Sequence, residues 1–268
     1  MSLLPMRNKA RHTARVDHPY LDAPRPLAFA HRGGAADGDE NTAAAFRRAI
    51  DLGYRYVETD VHATADGVPV VIHDAALDRV AGRAGRVAEM TWADLETVRV
   101  GGAAVVPRLD DVLDAWPQVR FNVDVKADAV VAPAVEAVRR CGALDRVLLA
   151  SFSDRRLSRV RALAGPRVAT SLGMGEVARL RIAATARIPL RPPVSAVAAQ
   201  IPVRRGRIKV LTPRFLAYLH RVGLAVHIWT VDDPEMMNTL LDMGVDGIMT
   251  DRIDVLHDVY SARGLWSR

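Results

Sequence analysis

LAFAHRGGAADGDENTAAAFRRAIDLGYRYVETDV, residues 27–61, contains one complete strand–helix–strand unit. LAFAH (27–31) is a short apolar run closing on a polar residue, the pattern of a strand buried on both faces. NTAAAFRRAIDLG (41–53) changes to helical period, with Ala45, Phe46, Ala49 and Ile50 on one face and Gly53 as a stop signal. The chain returns to an extended run at 55–61. The same alternation recurs downstream and predicts strands near 120–126 (RFNVDVK), 146–151, 167–171, 195–201, 224–230 (LAVHIWT) and 246–250. Eight such units in about 240 residues fit a (β/α)8 barrel, whose usual length is about 250. An open doubly wound sheet is the structural alternative. The predicted fold is thus α/β, a TIM (β/α)8 barrel in one domain (26–268), preceded by a basic tail (1–25).

After the second strand, TADG turns the chain and VPVVIHD returns as an extra short strand. Residues 75–118 then form an excursion with helices near Thr91–Val98 and Leu109–Trp116, placed to act as a lid. Residues 172–211 are the least regular part, reading as helix, Pro-rich loop, strand and basic loop.

Composition narrows the function classes. Of 268 residues, 50% are hydrophobic and 25% charged, which excludes wholesale disorder. Arg, Asp or Pro interrupts each apolar stretch well before the roughly 18 residues of a membrane span. The first residues lack the apolar segment of a signal peptide, so the expected location is the cytoplasm. Cys141, the single cysteine, has no intrachain partner and reads as an inert, buried thiol. The net charge of +6 suggests an anionic partner, and part of it comes from Arg7, Lys9, Arg11, Arg15 and Arg25 in the tail. That tail reads as a solvated extension, with weak peripheral contact to anionic lipid as its functional option. Oligomeric state is not legible.

Barrel enzymes carry their chemistry at the C-terminal ends of strands. The first strand ends in His31 and Arg32. The second carries Glu58 and Asp60, whose i, i+2 spacing puts both carboxylates on one face. The third presents Asn122, Asp124 and Lys126 in the same way. If those two strands are neighbours, Glu58, Asp60 and Asp124 converge at one mouth, an oxygen set suited to a hard ion such as Mg2+ or Ca2+. The alternative is that the acids pair with arginine. His31 and His73 sit at comparable strand ends and suit acid–base work near neutral pH. Glu40 and Asn41 open the first helix, where Asn41 is either its N-cap or, with Glu40, a hydrogen-bonding partner of substrate or water.

HRG (31–33), ENT (40–42), ETDVHATADG (58–67), VIHD (71–74), NVDVK (122–126), SFS (151–153), WTVDD (229–233) and GVDGIMTD (244–251) together resemble the glycerophosphodiester phosphodiesterases, in order and across residues 27 to about 255. The resemblance implies a TIM barrel, one divalent cation (Mg2+ or Ca2+, with Mn2+ also suitable) and hydrolysis of a small-molecule glycerophosphodiester to glycerol 3-phosphate and an alcohol. It implies metal ligands at Glu58, Asp60 and Asp124, catalytic histidines at His31 and His73, phosphate contacts from Arg32 and Lys126, and Trp229 packing on the substrate. His31 is the expected acid. Three positions depart from the pattern: Asp124 stands where Glu is usual, and Ile253 and Asp39 stand where Pro is usual. Two rival readings are a lysophospholipase D or sphingomyelinase D type activity, which needs an apolar approach to the mouth, expected from the 75–118 excursion and the Pro-rich 188–202 segment, and a non-catalytic phosphate- or nucleic-acid-binding protein. No nucleic-acid partner is expected.

Overall fold

Each apolar run predicted as a strand forms one, including the run inside the irregular 172–211 region. In the computed structural model, which describes residues 17–102 and 104–266, the strands are β1 (Leu27–Ala30), β2 (Tyr56–Ala63), β3 (Arg120–Val125), β4 (Val147–Ala150), β5 (Ala169–Ser171), β6 (Ala196–Ile201), β7 (Ala225–Ile228) and β8 (Gly247–Thr250). All neighbours are parallel, and β1 pairs with both β2 and β8, so the sheet closes. The helices that cover it are α1 (Ala43–Asp51), α2 (Leu109–Ala115), α3 (Val131–Arg140), α4 (Asp154–Ala164), α5 (Met174–Ala186), α6 (Pro213–Arg221), α7 (Pro234–Met243) and α8 (Ile253–Ala262). No helix among the described residues is long and apolar enough to cross a membrane.

Strand alternation produces two cores. Residues facing outward, such as Val57, Val123, Leu149 and Ile248, pack under the helices. Those facing inward are apolar at the base, where Leu27, Phe29, Tyr56, Leu148, Ala198 and Met249 meet, and polar at the mouth. The base is sealed from below by residues 18–21, which the sequence places in the tail. Tyr20 is fully buried, crosses Tyr56 edge-on at 5.4 Å and accepts at its backbone oxygen the Tyr56 hydroxyl, 2.7 Å away. The basic charge of the segment hid this: burying one aromatic stabilises by roughly 1.5–3 kcal/mol, enough to order the short turn Pro19–Leu21. Residues 1–16, with the rest of the expected tail, lie outside the described residues.

α1 corrects the reading of Asn41. Thr42 is the N-cap, its hydroxyl accepting from the Ala45 backbone N–H at 3.2 Å. Asn41 has a left-handed backbone (φ 60°), which turns its amide away from the helix and into the barrel wall. Gly33 meets the same helix from the other side. Its φ of 82° and a virtual Cβ only 2.7 Å from Phe46 Cδ1 leave room for no side chain.

The excursion between β2 and β3 begins with the short strand Pro69–Val71, antiparallel to the end of β2. It has a small core of its own, with Val70, Leu77, Val87, Leu95 and Val100 buried together. It is therefore a self-packed flank of the barrel, and none of the described residues between 75 and 118 lines the pocket at the mouth. Cys141 ends α3 half-buried with its thiol pushed up to about 11 by burial and by Asp114, which keeps it protonated and unreactive.

Candidate active site

The β2–β3 register sets Asp60 directly beside Asp124 and Glu58 beside Asn122. All four side chains point into one pocket at the C-terminal end of the barrel, with His31, Arg32, His73, Lys126, Gln200 and Trp229 around them. Glu58, Asp60 and Asp124 are buried, at 5%, 1% and 7% exposure, so their charges depend on their neighbours. Lys126 Nζ lies 2.7 Å from both Asp60 Oδ1 and Asp124 Oδ2. Burial alone would raise the Asp60 carboxyl; Lys126 and Arg32 outweigh it and hold the group below the carboxylate range. Asp124 goes the other way, raised chiefly by burial. Glu58 is pushed up to about 7 by burial and by Asp60, although the Arg32 backbone N–H donates to its Oε2 at 3.0 Å. Three buried acids thus face two cationic side chains, Lys126 and Arg32, whose Nε lies 3.2 Å from Asp60 Oδ2.

Asp124 Oδ1 is buried without a hydrogen-bond partner. An unpartnered carboxylate oxygen in an all-oxygen donor set is chemistry that suits a hard divalent ion. Among the described residues, however, no three His, Cys, Asp or Glu side chains are drawn together as ligands of one ion, and Lys126 bridges two of the three carboxylates. The donor chemistry fits a metal, and the alternative of acids paired with basic side chains is also partly realised.

The two histidines share a design. His31 Nδ1 is 2.7 Å from Asp251 Oδ1, and its Nε2 turns toward Glu58 Oε2 at 3.7 Å. Burial would lower the His31 imidazole, but Glu58 and Asp251 override it and hold it above its ordinary value. His73 Nδ1 is 2.6 Å from Asp74 Oδ1, and Arg79 Nε donates to the other oxygen of Asp74 at 2.6 Å. In each ring a carboxylate takes Nδ1 and leaves Nε2 for the pocket.

Asp251 and Asp74 stand in the quoted motifs without an assigned role; their signal is position, one following β8 and the other following His73. Arg32 and Lys126 line the pocket as expected, Arg32 donating from Nη1 to Glu40 at 3.0 Å. Trp229 lines it too, edge-on to Phe152 at 5.4 Å. Glu40 and Asn41 do not reach it. Glu40 is held behind the wall by Arg32 and by two bonds from Arg79. Asn41 donates to Asp60 Oδ2 at 3.0 Å and accepts from the Thr59 hydroxyl at 2.7 Å, orienting a carboxylate from behind.

Residues 31–255 match the Glycerophosphoryl diester phosphodiesterase family. The chain belongs to that family. It is 43% identical over 251 residues, 90% of this chain and 92% of the relative, to the protein named "Probable glycerophosphodiester phosphodiesterase 2" of Mycobacterium tuberculosis. The crystal structure of a glycerophosphodiester phosphodiesterase from Agrobacterium tumefaciens superposes with a TM-score of 0.72 at 27% identity, covering 88% of this chain and 99% of that one. A phosphodiesterase from Oleispira antarctica, solved in complex with the product sn-glycerol-3-phosphate, shares the fold with a TM-score of 0.74 at 21% identity, covering 88% and 97%. The glycerophosphodiester phosphodiesterase barrel thus accounts for nearly the whole described chain.

Proposed function

We propose that the chain hydrolyses glycerophosphodiesters to sn-glycerol 3-phosphate and an alcohol, with His31 and His73 as its acid–base pair. The observation that carries this reading is the pair of imidazoles, each tied at Nδ1 to a carboxylate, facing one pocket with three buried acids and two basic side chains. His31, held above its ordinary protonation range by Glu58 and Asp251, is the acid and delivers its Nε2 proton to the departing alcohol. His73, oriented by Asp74, is the base and takes the proton of the attacking oxygen, which is either water itself or the glycerol 2-hydroxyl, whose cyclic phosphate a water molecule then opens to glycerol 3-phosphate. Arg32 and Lys126 turn from their carboxylate partners toward the phosphate oxygens, offsetting charge in the transition state. Trp229 flanks the glycerol or alcohol moiety.

Glu58, Asp60 and Asp124 would hold one divalent cation, Mg2+, Ca2+ or Mn2+. When bound, it supplies Lewis acidity to the phosphoryl group. The test is release of glycerol 3-phosphate from glycerophosphocholine by His31→Ala and His73→Ala. Each variant is expected to lose roughly 10²- to 10⁴-fold in kcat, and full turnover in either would remove that residue from the mechanism.

A further inference from the structure

The excursion between β2 and β3 stays clear of the pocket, yet one of its side chains reaches the partners of two pocket residues. Leu77 is fully buried in the core of the excursion, and the short helix Asp78–Ala81 starts directly after it and stops at Gly82, whose φ is 61°. This anchored turn sets Arg79 against the barrel. Arg79 Nε donates to Asp74 Oδ2 at 2.6 Å, while Nη1 and Nη2 donate to the two oxygens of Glu40 at 2.8 and 2.7 Å. Asp74 in turn holds Nδ1 of His73. Glu40 accepts from Arg32 Nη1 at 3.0 Å on the same Oε1 that Arg79 takes. One guanidinium therefore ties the partner of the proposed base to the partner of the proposed phosphate ligand, a forked geometry that a lysine could not reproduce.

The charges decide what this bridge does. Glu40 is 9% exposed; burial would raise its carboxyl, but Arg79 and Arg32 outweigh it and hold the group below its ordinary range. Arg32 Nε is buried without a hydrogen-bond partner, so among the described residues the bond to Glu40 is the one hydrogen bond its guanidinium makes. To meet a phosphate oxygen Arg32 has to leave Glu40, and a buried carboxylate stranded without a cation costs far more than a surface pair contributes. Arg79 is half-exposed and outside the pocket, so it can stay on Glu40 while Arg32 moves. We infer that Arg79 is a positioning residue that frees Arg32 for the substrate phosphate by keeping Glu40 paired, and that through Asp74 it also fixes the ring of His73. The inference rests on the phosphodiesterase reading above and adds to it the residue by which the excursion governs phosphate binding.

The experiment compares the wild type, Arg79→Met, Glu40→Gln and the double variant Arg79→Met/Glu40→Gln. It measures calorimetric binding of sn-glycerol 3-phosphate in the presence of Mg2+, and kcat and KM for choline release from glycerophosphocholine; far-UV circular dichroism checks the fold. In Arg79→Met, Arg32 strands Glu40 whenever it turns to phosphate, so Kd and KM are expected to rise at least about tenfold. In the same variant kcat falls about two- to fivefold, the scale of a half-exposed ion pair, because Asp74 loses its partner. The double variant has no carboxylate to strand: Kd and KM return to within about threefold of wild type while kcat stays low. A purely structural role would instead weaken Arg79→Met and the double variant alike. Wild-type Kd in Arg79→Met, or a double variant that binds no better than Arg79→Met, overturns the inference and leaves the phosphodiesterase reading standing. The expected binding pattern in a protein that releases no choline removes the phosphodiesterase reading and keeps the assignment of Arg79. A wild type that neither binds glycerol 3-phosphate nor releases choline brings down both together.

Discussion

Asp251→Asn isolates the link between β8 and the proposed acid. The substitution keeps the shape of the side chain and removes the charge 2.7 Å from His31 Nδ1. A hydrogen bond to a charged group contributes roughly 1.5–3 kcal/mol, and at about 1.4 kcal/mol per decade this predicts a loss of ~10- to 150-fold in kcat. Asp251 does not line the pocket, so KM for glycerophosphocholine should stay within about twofold, the signature of an interaction made in the transition state. Because Asp251 acts through His31, the double variant His31→Ala/Asp251→Asn should be no slower than His31→Ala alone. Initial rates of glycerol 3-phosphate release from the wild type, two single variants and the double variant complete the cycle. Multiplicative losses in the double variant, or wild-type kcat in Asp251→Asn, would refute the reasoning.

His227 is fully buried inside the barrel with its imidazole lowered to about 3, mainly by burial. Between that value and the ordinary histidine pKa the unfolded chain binds a proton that the folded chain refuses, so stability falls with falling pH by about 1.4 kcal/mol per unit. Urea unfolding of the wild type at pH 7 and pH 5 should show a drop about 2 kcal/mol larger than in His227→Gln; equal drops would mean the ring is protonated in the fold. Tyr20→Ala should destabilise by roughly 3–5 kcal/mol by opening the barrel base while leaving kcat unchanged, and a stability loss under 1 kcal/mol in urea would show that residues 18–21 merely rest against the sheet. Gly33→Ala, strained at φ 82° and crowded by Phe46, should lose roughly 1–3 kcal/mol and also lower kcat, because it displaces the turn carrying His31 and Arg32; normal activity and stability would show that α1 gives way instead.

The eight strands were readable because parallel strands covered by helices are apolar on both faces, and the polar residues closing them marked the mouth. Glu58, Asp60, Asp124 and Lys126 came together as their i, i+2 spacing implied once β2 and β3 proved adjacent. What stayed hidden depends on separation in sequence or on backbone conformation. Asp251 reaches His31 across 220 residues, and Arg79 reaches Glu40 across 39; no periodicity encodes such pairs. Asn41 has the residue type of an N-cap, but its positive φ passes that role to Thr42. Tyr20 and Leu21 were masked by the basic residues around them. The 75–118 excursion, expected over the mouth, packs on itself, whereas Gln200, Ile201 and Pro202 of the 188–202 segment line an apolar cavity beside the mouth.

We propose that the buried acids at the mouth serve the phosphodiesterase through a divalent cation. This is tested most directly by glycerol 3-phosphate release from glycerophosphocholine after chelation and then with Mg2+, Ca2+ or Mn2+ restored, with Asp124→Ala measured alongside. Activity is expected to be lost on chelation, restored by at least one of these ions, and not restored in Asp124→Ala. Full turnover by the chelated protein, or equal metal-restored activity in the variant, would contradict it.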